Sequence, residues 1–500
     1  MRLLIDTNVL IPLEPTRAED LKDDTPAAAL LIRRCNEGGH TVHVHPRVLE
    51  DLARDKDDER RTTRVALLAK YPPLPNPPGL AGVESVVGAV DPTSNHWVDH
   101  HLLAAVLADA VGLLVTNDDR IHKKAARLGV ASRVYTLNDA ISALERLSDR
   151  TPSPPPAVRA TVAHELDAKD PILDSLRADY APDFDDWLAR AKRNQRLTWI
   201  VSAGPEPTPV AGFCLVKQEE HPSDAFGLSG KVLKLCTFKV GDRYFGNRFG
   251  ELLLKPVFDY CTENTYDWAF VTVFARHEHL VRLFNEFGFA DIGARTARGE
   301  LVLAKPMRPT SEDRRDGVLD PLAFNRRFGP RELVIARGAP AAVVPIQPRY
   351  HARLFPECET QTELFPGREA FGNSIRKAYL CHASYRQLAS GSCLLFYRSQ
   401  DHQAVHVLGV VEETRVSENA DEIVSYVARR TVYTEQEIRT MAAEGPVLSI
   451  LFRFARRLLP PIQLAEALDV GILQGPPQSI QAVPDEGIQW LENRVRASRS

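Results

Sequence analysis

Met1-Arg-Leu-Leu-Ile-Asp-Thr-Asn8 is the stretch that decides how this chain folds. Leu3, Leu4 and Ile5 form an unbroken apolar run that climbs into Asp6, and Val9-Leu10-Ile11 follows. A short continuous apolar run reads as a buried strand of a parallel sheet. A carboxylate at its end is costly to bury unless it is paired or sits on a metal. Open parallel sheets bind ligands beyond the carboxyl ends of their strands. Asp6 is therefore a candidate site residue if further acids arrive to meet it.

Outward from that stretch, residues 1–150 alternate strand and helix patterns. Strands are expected over Leu3–Asp6, Thr41–His45, Leu113–Thr116 and Arg133–Leu137. Helices are expected over Pro26–Glu37, Val48–Asp55, Trp97–Ala110, His122–Leu128 and Ala140–Leu147. This order implies an α/β domain with a parallel sheet. Thr151-Pro-Ser-Pro-Pro-Pro156 reads as a stiff, extended linker. Residues 157–305 predict an α+β domain with a mixed sheet, and the charged, Pro-punctuated 306–330 predicts a second linker. Residues 331–500 carry strands at Lys377–His382, Ser392–Tyr397, Val405–Glu412 and Val447–Phe454, with a helix-rich stretch at Asp421–Ala443 and a last helix near 485–497. A chain of 500 residues is too long for one core, so a multidomain protein is expected.

Composition narrows the class. Hydrophobic residues make up 44% and charged residues 26%, with a formal net charge of −4. This is no polycation, so any nucleic-acid contact must come from local patches. Seven cysteines without a C-x-x-C pair offer neither a disulfide framework nor a zinc set. No apolar run approaches a membrane span and no signal peptide is read, so a cytoplasmic protein without membrane contact is expected.

Four acids of the first domain occupy strategic places. Asp6 and Asp118 end predicted strands, and Glu50 and Asp99 lie early in predicted helices on the same rim. Four converging carboxylates repel one another strongly without a divalent cation. Mg²⁺ or Mn²⁺, hard oxygen-seeking ions, resolve that repulsion. Helix capping alone also places acids at such positions. The segment Leu3-Leu-Ile-Asp6-Thr-Asn8-Val-Leu, with Glu50, Asp99 and Val115-Thr116-Asn117-Asp118, resembles the PIN domain, a fold of Mg²⁺-dependent nucleases that includes toxin ribonucleases. The resemblance covers about the first 150 residues. It implies that Asp6, Glu50, Asp99 and Asp118 are metal-binding and catalytic acids, and that Asn8 and Thr116 orient them.

In the middle domain, Leu235-Cys-Thr-Phe-Lys-Val240 leads through Gly-Asp-Arg243-Tyr-Phe-Gly246-Asn-Arg248-Phe-Gly250 into a helix. Glycines there let backbone approach a phosphate at a helix start. With the order of elements, residues 157–305 resemble the GNAT acetyltransferase fold. That implies acetyl-CoA held at Arg243, Gly246, Arg248 and Gly250. Phe284 stands where the family often has a proton-donating Tyr, so transferase activity does not follow from the resemblance. In residues 331–500, Gly391–Tyr397, Val405–Glu413 and Pro477–Ile480 faintly resemble PUA-like barrels of the ASCH and EVE kind. These imply RNA recognition, for which Tyr397, Arg430, Arg453 and Trp490 are the candidates.

The combination predicts a Mg²⁺- or Mn²⁺-dependent endonuclease acting on RNA or single-stranded DNA. A PIN-type toxin also implies an antitoxin-like protein partner and a homodimer. The alternatives are an acetyl-CoA-dependent N-acetyltransferase with RNA-binding accessory domains, and a non-catalytic RNA-binding regulator.

Overall fold

The computed structural model describes residues 1–14, 24–48, 52, 57–68, 70–148, 158–202, 210–221, 223–241, 244, 248–315, 319–335, 340–359, 374–385 and 387–497. The chain divides into two compact units. One is Met1–Arg150 with Ser417–Pro446, and the other is Thr151–Val416 with Val447–Ser500.

The first unit is built on β1 (Arg2–Ile5), β2 (Thr41–Val44), β3 (Leu113–Val115) and β4 (Val134–Tyr135), in the order β2-β1-β3-β4. All three pairings are parallel. Leu3, Leu4, Ile5 and Leu113, Leu114, Val115 are fully buried, as continuous apolar strands between helices must be. Helix starts are fixed by side chains. Asp6 caps Thr7–Leu13, Asp118 caps Asp119–Arg127 and Thr136 caps Leu137–Leu147. The expected helix Val48–Asp55 lies mostly outside the described residues.

The helix-rich stretch that the sequence assigns to the third domain belongs to this first unit. Ala420–Val427 and Glu435–Glu444 bury Val424, Val427 and Ile438 completely. Arg429 pairs with Asp139 and stacks 4.2 Å over the Tyr135 ring. Arg146 Nη2 donates to Ala428 O at 3.1 Å, and His40 lies 3.4 Å from Glu435.

The second unit holds two sheets. Seven strands, β5 (Val158–Val162), β6 (Leu197–Ser202), β7 (Val210–Glu219), β8 (Val232–Val240), β9 (Trp268–Val273), β10 (Ala290–Arg295) and β11 (Leu301–Pro306), run in the order β10-β11-β9-β8-β7-β6-β5. Among the described residues of this sheet, only β8 and β9 pair in parallel, and their pairing ends at Leu235 against Val271. β5 follows the proline-rich stretch directly, and a single 3-10 turn, Ala163–Glu165, follows β5.

The other sheet orders β12 (Ala341–Ile346), β13 (Arg376–Cys381), β14 (Cys393–Arg398), β15 (Ala404–Ser417), β16 (Val447–Gln463) and β17 (Gln481–Ala482) as β13-β16-β15-β14-β12-β17. It is mixed, β12 and β14 being parallel. Among the described residues its pairing does not close into the expected barrel. The predicted linker 306–330 is also corrected, since it contains the helix Pro321–Phe328. There Asn325 is fully buried, donates to Pro330 O and Glu332 O at 2.9 Å each, and accepts from Arg453 Nε at 3.0 Å.

Candidate functional site

Sheet register assembles the rim of the first unit. Ile5 is paired with both Val44 and Val115, so the residues that follow, His45, Asp6 and Thr116, stand side by side. Asp6 is 7% exposed. Thr7 N–H donates to its Oδ1 at 2.6 Å, and Asn8 Nδ2 and Thr116 Oγ1 donate to its Oδ2 at 2.7 Å each. Thr116 Oγ1 accepts from Asp118 N–H at 3.0 Å. Asn8 and Thr116 thus orient Asp6 and tie it to the next strand end.

Asp118 accepts the Arg120 N–H at 2.7 Å and meets its guanidinium at 2.6 Å. Burial pushes the Asp118 carboxyl up, but Arg120 outweighs it and holds that group below its ordinary value. Asp99, buried on helix Asn95–Leu107, has Lys124 Nζ at 3.2 Å and His96 Nδ1 at 3.4 Å. Arg120 is held above its ordinary value by Asp118 first, and more weakly by Asp99 and Asp6. Acids from three elements therefore lie within electrostatic reach of one guanidinium. Glu50 lies outside the described residues.

Among the described residues no three of His, Cys, Asp and Glu stand together as ligands of one ion. The donors available are carboxylate oxygens, which suit a hard divalent cation. Arg120 and Lys124 pair with Asp118 and Asp99 and neutralise them. Neither basic residue was read from the sequence, although Asp118-Asp119-Arg120 places one of them two positions from an acid.

The phosphate-loop candidates of the second unit serve packing where they are described. Arg248 adopts a left-handed φ of 59° and pairs with Glu251. A Cβ on Gly250 would meet Leu283 Cδ2 at 2.6 Å, so this glycine leaves room for the Leu283 side chain. Glu251 is buried and accepts from Ser374 Oγ at 2.6 Å, Ile375 N–H at 2.8 Å and Arg376 N–H at 3.2 Å. Burial pushes its carboxyl up, yet Arg248, Ser374 and Arg376 bring it down to about 2. Arg243 and Gly246 lie outside the described residues. Phe284 is a fully buried core ring.

Three of the four RNA candidates are buried. Tyr397 is 3% exposed and Arg453 1% exposed, the latter tied to Asn325 and to Glu412 at 3.2 Å. Arg430 is 4% exposed and belongs to the first unit. Trp490 is half-buried under the Arg494 guanidinium, 5.2 Å away. Sequence cannot separate an arginine that neutralises a buried acid from one on a solvated face.

No protein-family profile matches the chain, and no curated protein matches it. Among solved structures, the chain is similar to ASCH from Zymomonas mobilis at 16% identity, over 31% of this chain and 94% of that one, with a TM-score of 0.24. It is similar to yncA from Salmonella typhimurium, solved with its cofactor acetyl-CoA, at 14% identity over 31% and 96%, with a TM-score of 0.25. A GNAT-family protein from Desulfovibrio desulfuricans is similar at 12% identity over 30% and 99%, with a TM-score of 0.24. Likenesses this weak say nothing of activity. No helix among the described residues is long and apolar enough to cross a membrane.

Proposed function

We propose that the first unit is a PIN-like, divalent-metal-dependent endonuclease acting on RNA. The observation that supports this reading is the tie between the strand ends, Thr116 Oγ1 donating to Asp6 and accepting from Asp118 N–H, with Asp99 charged near enough for Arg120 to feel it weakly. Asp6, Asp99 and Asp118, with Glu50, would hold Mg²⁺ or Mn²⁺. Such an ion, when bound, neutralises the acids and activates a water for phosphodiester cleavage. The chain's own part is orientation. Asn8 and Thr116 fix the Asp6 carboxylate, and the Asp118 N–H to Thr116 Oγ1 bond keeps the two strand ends in step. Arg120 would have to leave Asp118 when an ion binds, and its released guanidinium could then pair with a substrate phosphate.

The test is incubation of the full chain with total RNA and with single-stranded DNA, in Mn²⁺ and in EDTA, with the cut ends mapped. Metal-dependent cleavage that Asp6→Asn abolishes supports the reading. Undiminished cleavage by that variant removes Asp6 from the site. One observation favours a second activity in the other unit, namely that the β8–β9 pairing ends at Leu235, where an acyl-CoA could enter the sheet. Calorimetric titration with acetyl-CoA decides it, and no heat at high micromolar ligand excludes it.

A further inference from the structure

One group of side chains on the rim is not used by the acids. His45 follows β2 directly, beside Asp6 by register. Its ring centroid lies 5.2 Å from that of His101, which meets Trp97 edge-on at 4.5 Å, and the Arg47 guanidinium lies 4.8 Å over the Trp97 ring. Trp97 and His101 are one helical turn apart, so they share a side of their helix. Arg47 is exposed and Trp97 half-exposed, whereas His45 is 1% exposed. A cluster of two imidazoles, an indole and a guanidinium therefore runs from the surface to the residue next to Asp6.

We propose that this cluster is a base-stacking subsite for single-stranded nucleic acid, seating a nucleotide beside the phosphodiester that the acid rim would cut. The inference rests on the nuclease reading and adds a substrate class to it. Flat aromatic and guanidinium faces hold unpaired bases irrespective of sequence. The bases of a duplex are stacked on one another and cannot use them. Arg47 adds positive charge for the neighbouring phosphate.

His45 positions the platform. Its Nδ1 accepts the Arg47 N–H at 3.2 Å, which leaves the proton of a neutral ring on Nε2. Burial, helped by His101 and Arg47, keeps the ring neutral down to about pH 4. That Nε2–H is buried with no acceptor among the described residues. A nucleotide phosphate entering between platform and rim would supply one.

The experiment titrates the full chain, with Asp6→Asn to prevent turnover, with a short fluorescein-labelled single-stranded RNA in Mn²⁺ and with the same RNA annealed to its complement. Trp97→Ala should weaken single-strand binding about tenfold, Trp97→Phe should restore most of it, and duplex binding should not move. In the cleavage assay His45→Asn, which keeps an acceptor for Arg47 but loses the outer donor, should raise KM with kcat held. His45→Gln, which keeps a donor at the Nε2 position, should stay near the parent. Should Trp97→Ala lose its fold by circular dichroism, the exposed Arg47→Ala carries the same comparison. Cleavage and single-strand binding unchanged in these variants would overturn the subsite. Binding that needs Trp97 in a protein that never cuts RNA would keep the subsite and sink the nuclease reading. RNA neither bound nor cut would sink both.

Discussion

At the scale of single residues, the two units use charge in opposite ways. On the rim, Arg120 and Lys124 neutralise Asp118 and Asp99 and would compete with any cation for them. Arg120→Gln should raise Mn²⁺ affinity severalfold by calorimetry, and unchanged affinity would show that the guanidinium does not compete. Without the Arg120 side chain, Asp118 keeps its burial and the backbone N–H bonds from positions 120 and 121, so its carboxyl rises from the parent's level and metal binding should fail at a higher pH. In the second unit, Glu251 has no vacancy to fill, being held by Arg248, Ser374 and two backbone N–H groups. Breaking a buried pair of this kind costs about 3 kcal/mol, so Glu251→Gln should lower stability by that order at neutral pH in urea titrations. The folded carboxyl lies near 2 and the unfolded one near 4.5. The parent's advantage is therefore full above 4.5 and disappears as pH falls through about 2. A gap independent of pH would mean that the charge is not what Glu251 contributes.

At the scale of elements, what could be read in advance depended on whether a segment carries its own signal. The continuous runs Leu3–Ile5 and Leu113–Val115 need no partner to be recognised, and their register then places Asp6 and Thr116 together. The strand Val158-Arg-Ala-Thr-Val162 has only three β-branched residues after a proline-rich stretch, and it is a strand because β6 is there to pair with it. The helix Pro321–Phe328 hides among charges, and its one buried amide, Asn325, looks like any surface residue in a sequence. Arg453's partners, Asn325 and Glu412, are equally invisible from its own segment. Glu435–Glu444 is the reverse case, since Thr434 and Glu437 form a reciprocal capping box visible as T-x-x-E. Thr434→Ala should cost about 1 kcal/mol. Because this helix belongs to the first unit, the loss should appear in that unit's unfolding transition and not in the other's, as scanning calorimetry would show.

At the scale of the whole molecule, the chain crosses between its two units three times. It enters the second unit after Arg150, returns to the first at Ser417, and leaves again at Pro446. Replacing 418–445 by a short turn joining β15 to β16 should leave the second unit folded, because both strands keep their places. The first unit should then unfold at a lower temperature and be cleaved faster by protease, since Asp139, Tyr135 and Arg146 lose Arg429 and the Ala428 carbonyl. Equal protease resistance would mean that residues 1–150 fold unaided. The same interleaving governs synthesis. A ribosome that has finished residue 150 must add roughly 300 more before the last piece of the N-terminal unit emerges, a delay of roughly 15–60 s at about 5–20 residues per second. A unit assembled this way stays incomplete on every product that stops short of Pro446, and only a chain carried past that point can close it.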